Sequence, residues 1–69
     1  MHEILTPERL ATELGVTQKT LAKWRYSGAG PRYIKLGGTG KTHPVRYRRA
    51  DVNRWLNAQP VMEGGKVVA

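Results

Sequence analysis

The sequence predicts a mostly α domain with a small β-hairpin, its elements in the order α-α-β-β-α, the arrangement of a winged helix-turn-helix. Three observations predict it. Two short amphipathic segments flank a turn built around Gly15. Two strand-like runs flank a glycine-rich loop that starts at Gly37. The charge is also segregated. Residues 1–16 sum to −2, residues 17–54 hold ten basic side chains against Asp51 alone, and residues 55–69 are neutral, leaving +7 over 69 residues.

The first helix starts at a clear signal. Thr6 is a good N-cap, and Pro7 suits the first helical position, where its missing N–H costs nothing. Leu5 and Leu10 are spaced for a hydrophobic staple, and Glu8 complements the positive end of the helix dipole. Leu10, Ala11 and Leu14 share one face, and Gly15 ends the helix as a left-handed C′ residue.

Thr17 caps a second helix. Leu21 and Trp24 face inward, Lys19, Ala22, Lys23 and Tyr26 face outward, and Gln18 flanks them. Ser27-Gly28-Ala29-Gly30-Pro31 breaks this helix. Arg32 to Leu36 reads as a strand and Gly37 to Pro44 as a loop. Val45-Arg46-Tyr47-Arg48 reads as a second strand, with Val45 and Tyr47 on one face and the arginines on the other. A last helix spans about Ala50 to Ala58, with Val52, Trp55 and Leu56 as its core stripe and Pro60 as its stop. Trp24 and Trp55 are expected in the core. Residues 1–59 form the predicted winged helix-turn-helix domain, and residues 60–69, without periodicity, a flexible C-terminal tail.

Several function classes fall away. The chain lacks cysteine, and its two histidines, His2 and His43, lie far apart without partner ligands, so no metal site and no disulfide is expected. Five acidic residues offer no paired-carboxylate site, and there is no Ser/His/Asp grouping. No catalytic residue, no enzyme activity and no cofactor is expected. The run Gly37-Gly38-Thr39-Gly40-Lys41-Thr42 ends like a phosphate-binding loop. However, the first glycine of that pattern falls on Lys35, and Pro44 with an alternating strand replaces the helix that must follow. No apolar run is long enough to span a bilayer, and Met1 to Leu5 do not open a signal peptide. The expectation is a soluble cytoplasmic protein without membrane contact.

What remains is a polyanion partner, double-stranded DNA. Ala11, Gly15 and Leu21 stand where the helix-turn-helix needs a small residue, a turn glycine and an apolar anchor. The second helix is then the recognition helix. Gln18 can bond an adenine edge, and Lys19 and Lys23 can reach guanine acceptors or phosphates. Thr17, Thr20 and the helix N-terminus can hold a phosphate, Arg25 is a flanking phosphate contact, and Tyr26 is exposed towards DNA. On the wing, Lys35, Arg46 and Arg48 are expected along the sugar-phosphate backbone. Lys41, Thr42 and His43 stand at the tip, near a minor groove, and Arg49 contacts phosphate or pairs with Asp51. Tyr33 and Tyr47 are open between packing and contact.

Taken together, several blocks resemble the excisionase-like family, small phage and mobile-element DNA-binding proteins with a MerR-like winged helix. The blocks are Leu5-Thr6-Pro7-Glu8, Leu14-Gly15-Val16-Thr17, Thr20-Leu21-Ala22-Lys23-Trp24-Arg25, Gly30 to Gly38, Val45 to Val52 and Trp55-Leu56. The resemblance spans residues 4–57. It implies a recombination directionality factor that binds repeated sites beside a prophage attachment site, bends DNA and steers an integrase towards excision. It also implies recognition-helix contacts at Gln18, Lys19, Thr20 and Lys23, and wing contacts at Lys35, Lys41, Arg46 and Arg48. Neighbouring copies on DNA and a phage integrase are the implied protein partners of a chain that is monomeric when free. Two departures stand out. The wing loop, Gly37 to Pro44, is long, and Ala50 replaces a frequent serine cap, a loss of about 1 kcal/mol. A small phage transcriptional regulator and a basic protein-interaction adaptor are the competing readings.

Overall fold

The computed structural model describes residues 3–68; Met1, His2 and Ala69 lie outside them, and with His2 the expectation of a surface histidine there. The elements are β1 (Ile4–Leu5), α1 (Pro7–Leu14), α2 (Gln18–Ser27), β2 (Ile34–Lys35), β3 (Val45–Arg48), α3 (Arg49–Asn57), β4 (Met62–Glu63) and β5 (Lys66–Val67). Three helices with short antiparallel strands make a mostly helical fold compatible with a winged helix-turn-helix.

Local signals define the helix pair. The backbone N–H of Arg9 donates to Thr6 Oγ1 at 3.1 Å, which caps α1 and is worth about 1 kcal/mol. Gly15 closes α1 at φ +72°, a conformation that strains any side chain, and Val16 N–H returns to the Ala11 carbonyl at 3.0 Å. Thr17 then caps α2 through the N–H of Thr20 at 3.0 Å. Ala11 is almost fully buried, so nothing larger keeps the helices apart.

The core holds Leu5, Leu10, Ala11, Leu21, Tyr47 and Val52, flanked by Leu14, Val16, Trp24 and Val45. Full burial of Leu10 and of Leu21 stabilises the domain by about 1.5–3 kcal/mol each. The expected staple is present, since Leu5 and Leu10 share this cluster. Leu5 also belongs to a strand that the sequence reading lacked. β1 pairs antiparallel with β3, Leu5 opposite Tyr47, and the sheet order is β1-β3-β2. Two residues are too few for a period-2 pattern, so only the staple was legible there.

The last helix begins at Arg49, one residue before Ala50. Its N-cap is Arg48, whose side chain makes no capping bond, and the Arg49 N–H donates to the Glu3 carbonyl at 2.6 Å instead. Ala50 therefore lies in the first turn rather than at the cap, and the cost assigned to its missing hydroxyl does not apply. Val52 is fully buried, but Leu56 is 43% exposed, because the helix turns Val52 and Trp55 towards the domain. The two tryptophans are half-buried rather than central, with ring centroids 5.4 Å apart. They grip the turn after α2. Trp55 Nε1 donates to the Ala29 carbonyl at 3.1 Å, and a Cβ on Gly30 would lie 3.0 Å from Trp24 Cβ.

Residues 60–69, expected to be a flexible tail, carry a hairpin instead. Met62 pairs with Val67 and Glu63 with Lys66. Gly64 and Gly65 both have positive φ, +59° and +86°, as a two-residue type I′ turn requires. This hairpin is exposed over its whole length.

Candidate nucleic-acid interface

The outer face of α2 is as the helical period requires. Gln18, Lys19, Ala22 and Lys23 are exposed, and Tyr26 is 97% exposed. Lys19 and Lys23 make no ion pair or side-chain hydrogen bond to the other described residues, so both ammonium groups remain available to an external acceptor. Thr17 Oγ1 makes the expected cap: it accepts from Thr20 N–H and donates to Thr20 Oγ1, both at 3.0 Å, which uses the Thr17 hydroxyl proton and leaves that of Thr20 unspent.

Strand register sorts the wing cations onto two sides. Lys35 stands opposite Val45, and Ile34 opposite Arg46. Cross-strand partners share a face, so Lys35 lies with Val45 and Tyr47 on the side of α2, while Arg46 and Arg48 project from the other side. The single backbone-contacting row expected of Lys35, Arg46 and Arg48 is thus divided. Arg46 is half-buried and its Nη1 donates to the Val45 carbonyl at 2.7 Å, whereas Arg48 is exposed.

The strand expected over Arg32 to Leu36 is limited to Ile34–Lys35, with one further ladder bond from Leu36 N–H to the Pro44 carbonyl at 2.9 Å. Pro31 and Gly37 bound it on either side. The loop beyond is folded around His43. The His43 Nδ1 lies 3.1 Å from the Leu36 carbonyl, and the His43 backbone N–H donates to the Gly40 carbonyl at 3.3 Å. A Cβ at Gly38 would come within 2.7 Å of His43 Nε2, and one at Gly37 within 3.2 Å of Nδ1. The loop glycines make room for this imidazole, so His43 is a half-buried anchor rather than a free tip residue. Lys41 and Thr42 are exposed beside it. Lys35 Nζ caps the Thr39 and Gly40 carbonyls, both at 3.5 Å.

Two arginines are bound into the frame. Arg49 forms a bidentate pair with Glu13, Nη1 to Oε1 at 2.8 Å and Nη2 to Oε2 at 3.0 Å, which ties α3 to α1. The pairing with Asp51 expected as one alternative for Arg49 does not form; Asp51 pairs with Arg54 at 3.6 Å. The hydrogen bond from Arg49, opposed by partial desolvation, holds the Glu13 carboxyl below its ordinary range, and Arg9 contributes to the same shift. Arg25, half-buried, donates from Nη1 to the Tyr47 hydroxyl at 2.8 Å, and its guanidinium carbon lies 5.9 Å from the Tyr33 ring centroid.

These placements leave an open groove of about 430 Å³ between α2 and the wing. Arg25 and Tyr26 stand on one wall, and Lys35, Lys41 and His43 on the other. Tyr33 and Tyr47, left open between packing and contact, fall into separate roles. Tyr47 is a core residue with a hydroxyl turned to Arg25, and Tyr33, 39% exposed, packs on it at 6.2 Å and lines the groove. Alternation in β3 was the signal for Tyr47 burial; nothing in the sequence marked its partner.

Among the described residues no helix is long and apolar enough to cross a membrane. A family model described as a helix-turn-helix domain matches residues 4–60. No curated protein and no solved structure matches the chain.

Proposed function

The chain belongs to the helix-turn-helix domain family, over residues 4–60, and from that premise we propose that this DNA-binding protein is a non-enzymatic architectural factor of the excisionase type. In this reading it binds repeated sites beside a phage attachment site, bends the DNA and directs an integrase towards excision, in the cytoplasm of a bacterial host. The observation that carries the proposal is the pairing of two basic surfaces around one groove. The exposed α2 face suits a major groove, and the wing beside it suits the flanking backbone. A protein that contacts DNA through both can offset the cost of a bend, on the order of 1–6 kcal/mol, with added phosphate contacts. The exposed Val61, Met62, Val67 and Val68 of the C-terminal hairpin are the surface proposed for integrase or a neighbouring copy.

A gel-shift titration on DNA spanning an attachment site tests this, with a scrambled duplex and several salt concentrations alongside. The expected outcome is a ladder of cooperative complexes, retained at salt where the scrambled duplex is lost, with altered mobility from bending. One unbent complex at a promoter would make the protein a transcriptional regulator. Equal, weak binding to both duplexes that modest salt abolishes would leave only phosphate attraction, and would favour the adaptor reading.

A further inference from the structure

The groove between α2 and the wing gathers positive charge that nothing in the fold neutralises. Arg25, Lys35 and Lys41 line it, together with His43, and no carboxylate does. The ion pairs among the described residues are Arg9–Glu13, Arg49–Glu13 and Arg54–Asp51, none of which reaches the groove. Three like charges facing one opening repel each other unless an anion enters.

Arg25 is fixed there. The buried Tyr47 hydroxyl accepts from Nη1, and the Tyr33 ring lies beside the guanidinium. Nε and Nη2 make no hydrogen bond to the other described residues. These two nitrogens form one edge of the planar fork, whose parallel N–H bonds match two oxygens on one phosphorus. Anchoring at Nη1 leaves the opposite edge open and lowers the entropy lost on binding.

We infer that this groove seats a single phosphodiester of the DNA backbone, with Arg25 as the bidentate contact and Tyr47 as the residue that positions it. The inference rests on the DNA-binding reading and deepens it. The seated strand is the ridge between the major groove facing α2 and the minor groove under the wing. Tyr47 thus serves DNA binding without touching DNA.

The test measures duplex affinity and its salt dependence for wild type, R25Q, R25K, Y47F and the double variant R25Q/Y47F. Thermal midpoints are recorded to confirm that each is folded. R25Q should weaken specific and scrambled duplexes alike by about tenfold and lower the salt slope by about one. R25K should recover little, since one ammonium nitrogen lacks the planar fork that sets two parallel N–H bonds to phosphate beside a third nitrogen held by Tyr47. Y47F keeps the core ring and should weaken binding by about threefold, but add less than twofold in the R25Q background. A neutral methylphosphonate scanned along the duplex should cost wild type most at one position and cost R25Q nothing there.

Unchanged affinity and slope in R25Q, or fully additive losses in the double variant, would overturn the assignment while leaving DNA binding intact. A folded wild type that binds no duplex would overturn both. Inorganic phosphate at matched ionic strength should displace duplex no better than chloride. Saturable displacement by millimolar phosphate would overturn the backbone assignment in favour of a free anion.

Discussion

Two lysines of α2 and three basic side chains of the wing are the same kind of group held in opposite ways. On α2, Lys19 and Lys23 are exposed and make no side-chain bond to the other described residues. In the wing, Lys35 caps two loop carbonyls, Arg46 bonds its own strand and His43 is seated on glycines. A free ammonium on a rigid helix can adjust to whichever base edge lies beneath it. A tethered cation meets a repeating target, the phosphate backbone, whose spacing does not vary with sequence. The difference teaches that cations of like charge are prepared differently by the fold, and it predicts that their internal bonds, not charge alone, sort specificity from affinity.

Three variants put that contrast to the test. Lys23→Ala has the largest expected effect, about 5- to 100-fold weaker binding to a specific duplex and a much smaller loss on scrambled DNA, read by competition gel shift. Equal losses on both would make Lys23 a phosphate contact and erase the distinction. His43→Ala comes next. It should free the loop and weaken all duplexes by about three- to fivefold, with a lower salt slope and an unchanged thermal midpoint, because His43 lies outside the core. An unaltered slope would mean that the loop cations never depended on their anchor. Glu13→Gln has the smallest effect, on stability and not on affinity. The Glu13 carboxyl is held below its ordinary range, chiefly by Arg49, so its stabilising contribution is present above that range and lost as pH falls through the lowered value. Wild type should therefore melt higher than the variant at pH 7, and the gap should close on acidification below about pH 4. A gap that persists at pH 3 would assign the effect to packing.

How much of this was legible depends on the length of the signal. Helix caps, the turn glycine and the 3.6-residue period each extend over a turn or more, so α1, α2 and their facing residues Leu10, Leu14 and Leu21 could be read directly. Alternation in Val45 to Arg48 put Tyr47 on the face of Val45 and opposite the arginines, but left open whether that face packs or makes contact. β1 was not readable, because its two residues gain strand identity only from β3. The C-terminal hairpin does have a signal, Gly64-Gly65 between short apolar runs, but the runs are brief and their residues stay exposed. Leu56 matched the stripe of α3 and faces solvent, since a period gives a direction but not the width of the surface it meets. The bonds of Arg25, expected as a flanking phosphate contact, and of Arg49, expected to contact phosphate or pair with Asp51, were not legible, because their partners, Tyr47 and Glu13, are distant in sequence and lie on other elements.

The pairing of β1 with β3 has a consequence for how the domain forms. Leu5 and Tyr47 are more than forty positions apart, and the start of α3 is closed by the Glu3 carbonyl. Leu10 and Leu21, on the two helices, bury themselves against Leu5, Tyr47 and Val52, so the helix pair has no complete core until the second wing strand exists. Loop closure over that distance precedes the contacts that reward it. During synthesis, the recognition helix therefore acquires its fixed orientation only after residue 48 has emerged. A peptide cut to α1 and α2 would keep the α2 residues proposed to face DNA and lose the platform that aims them.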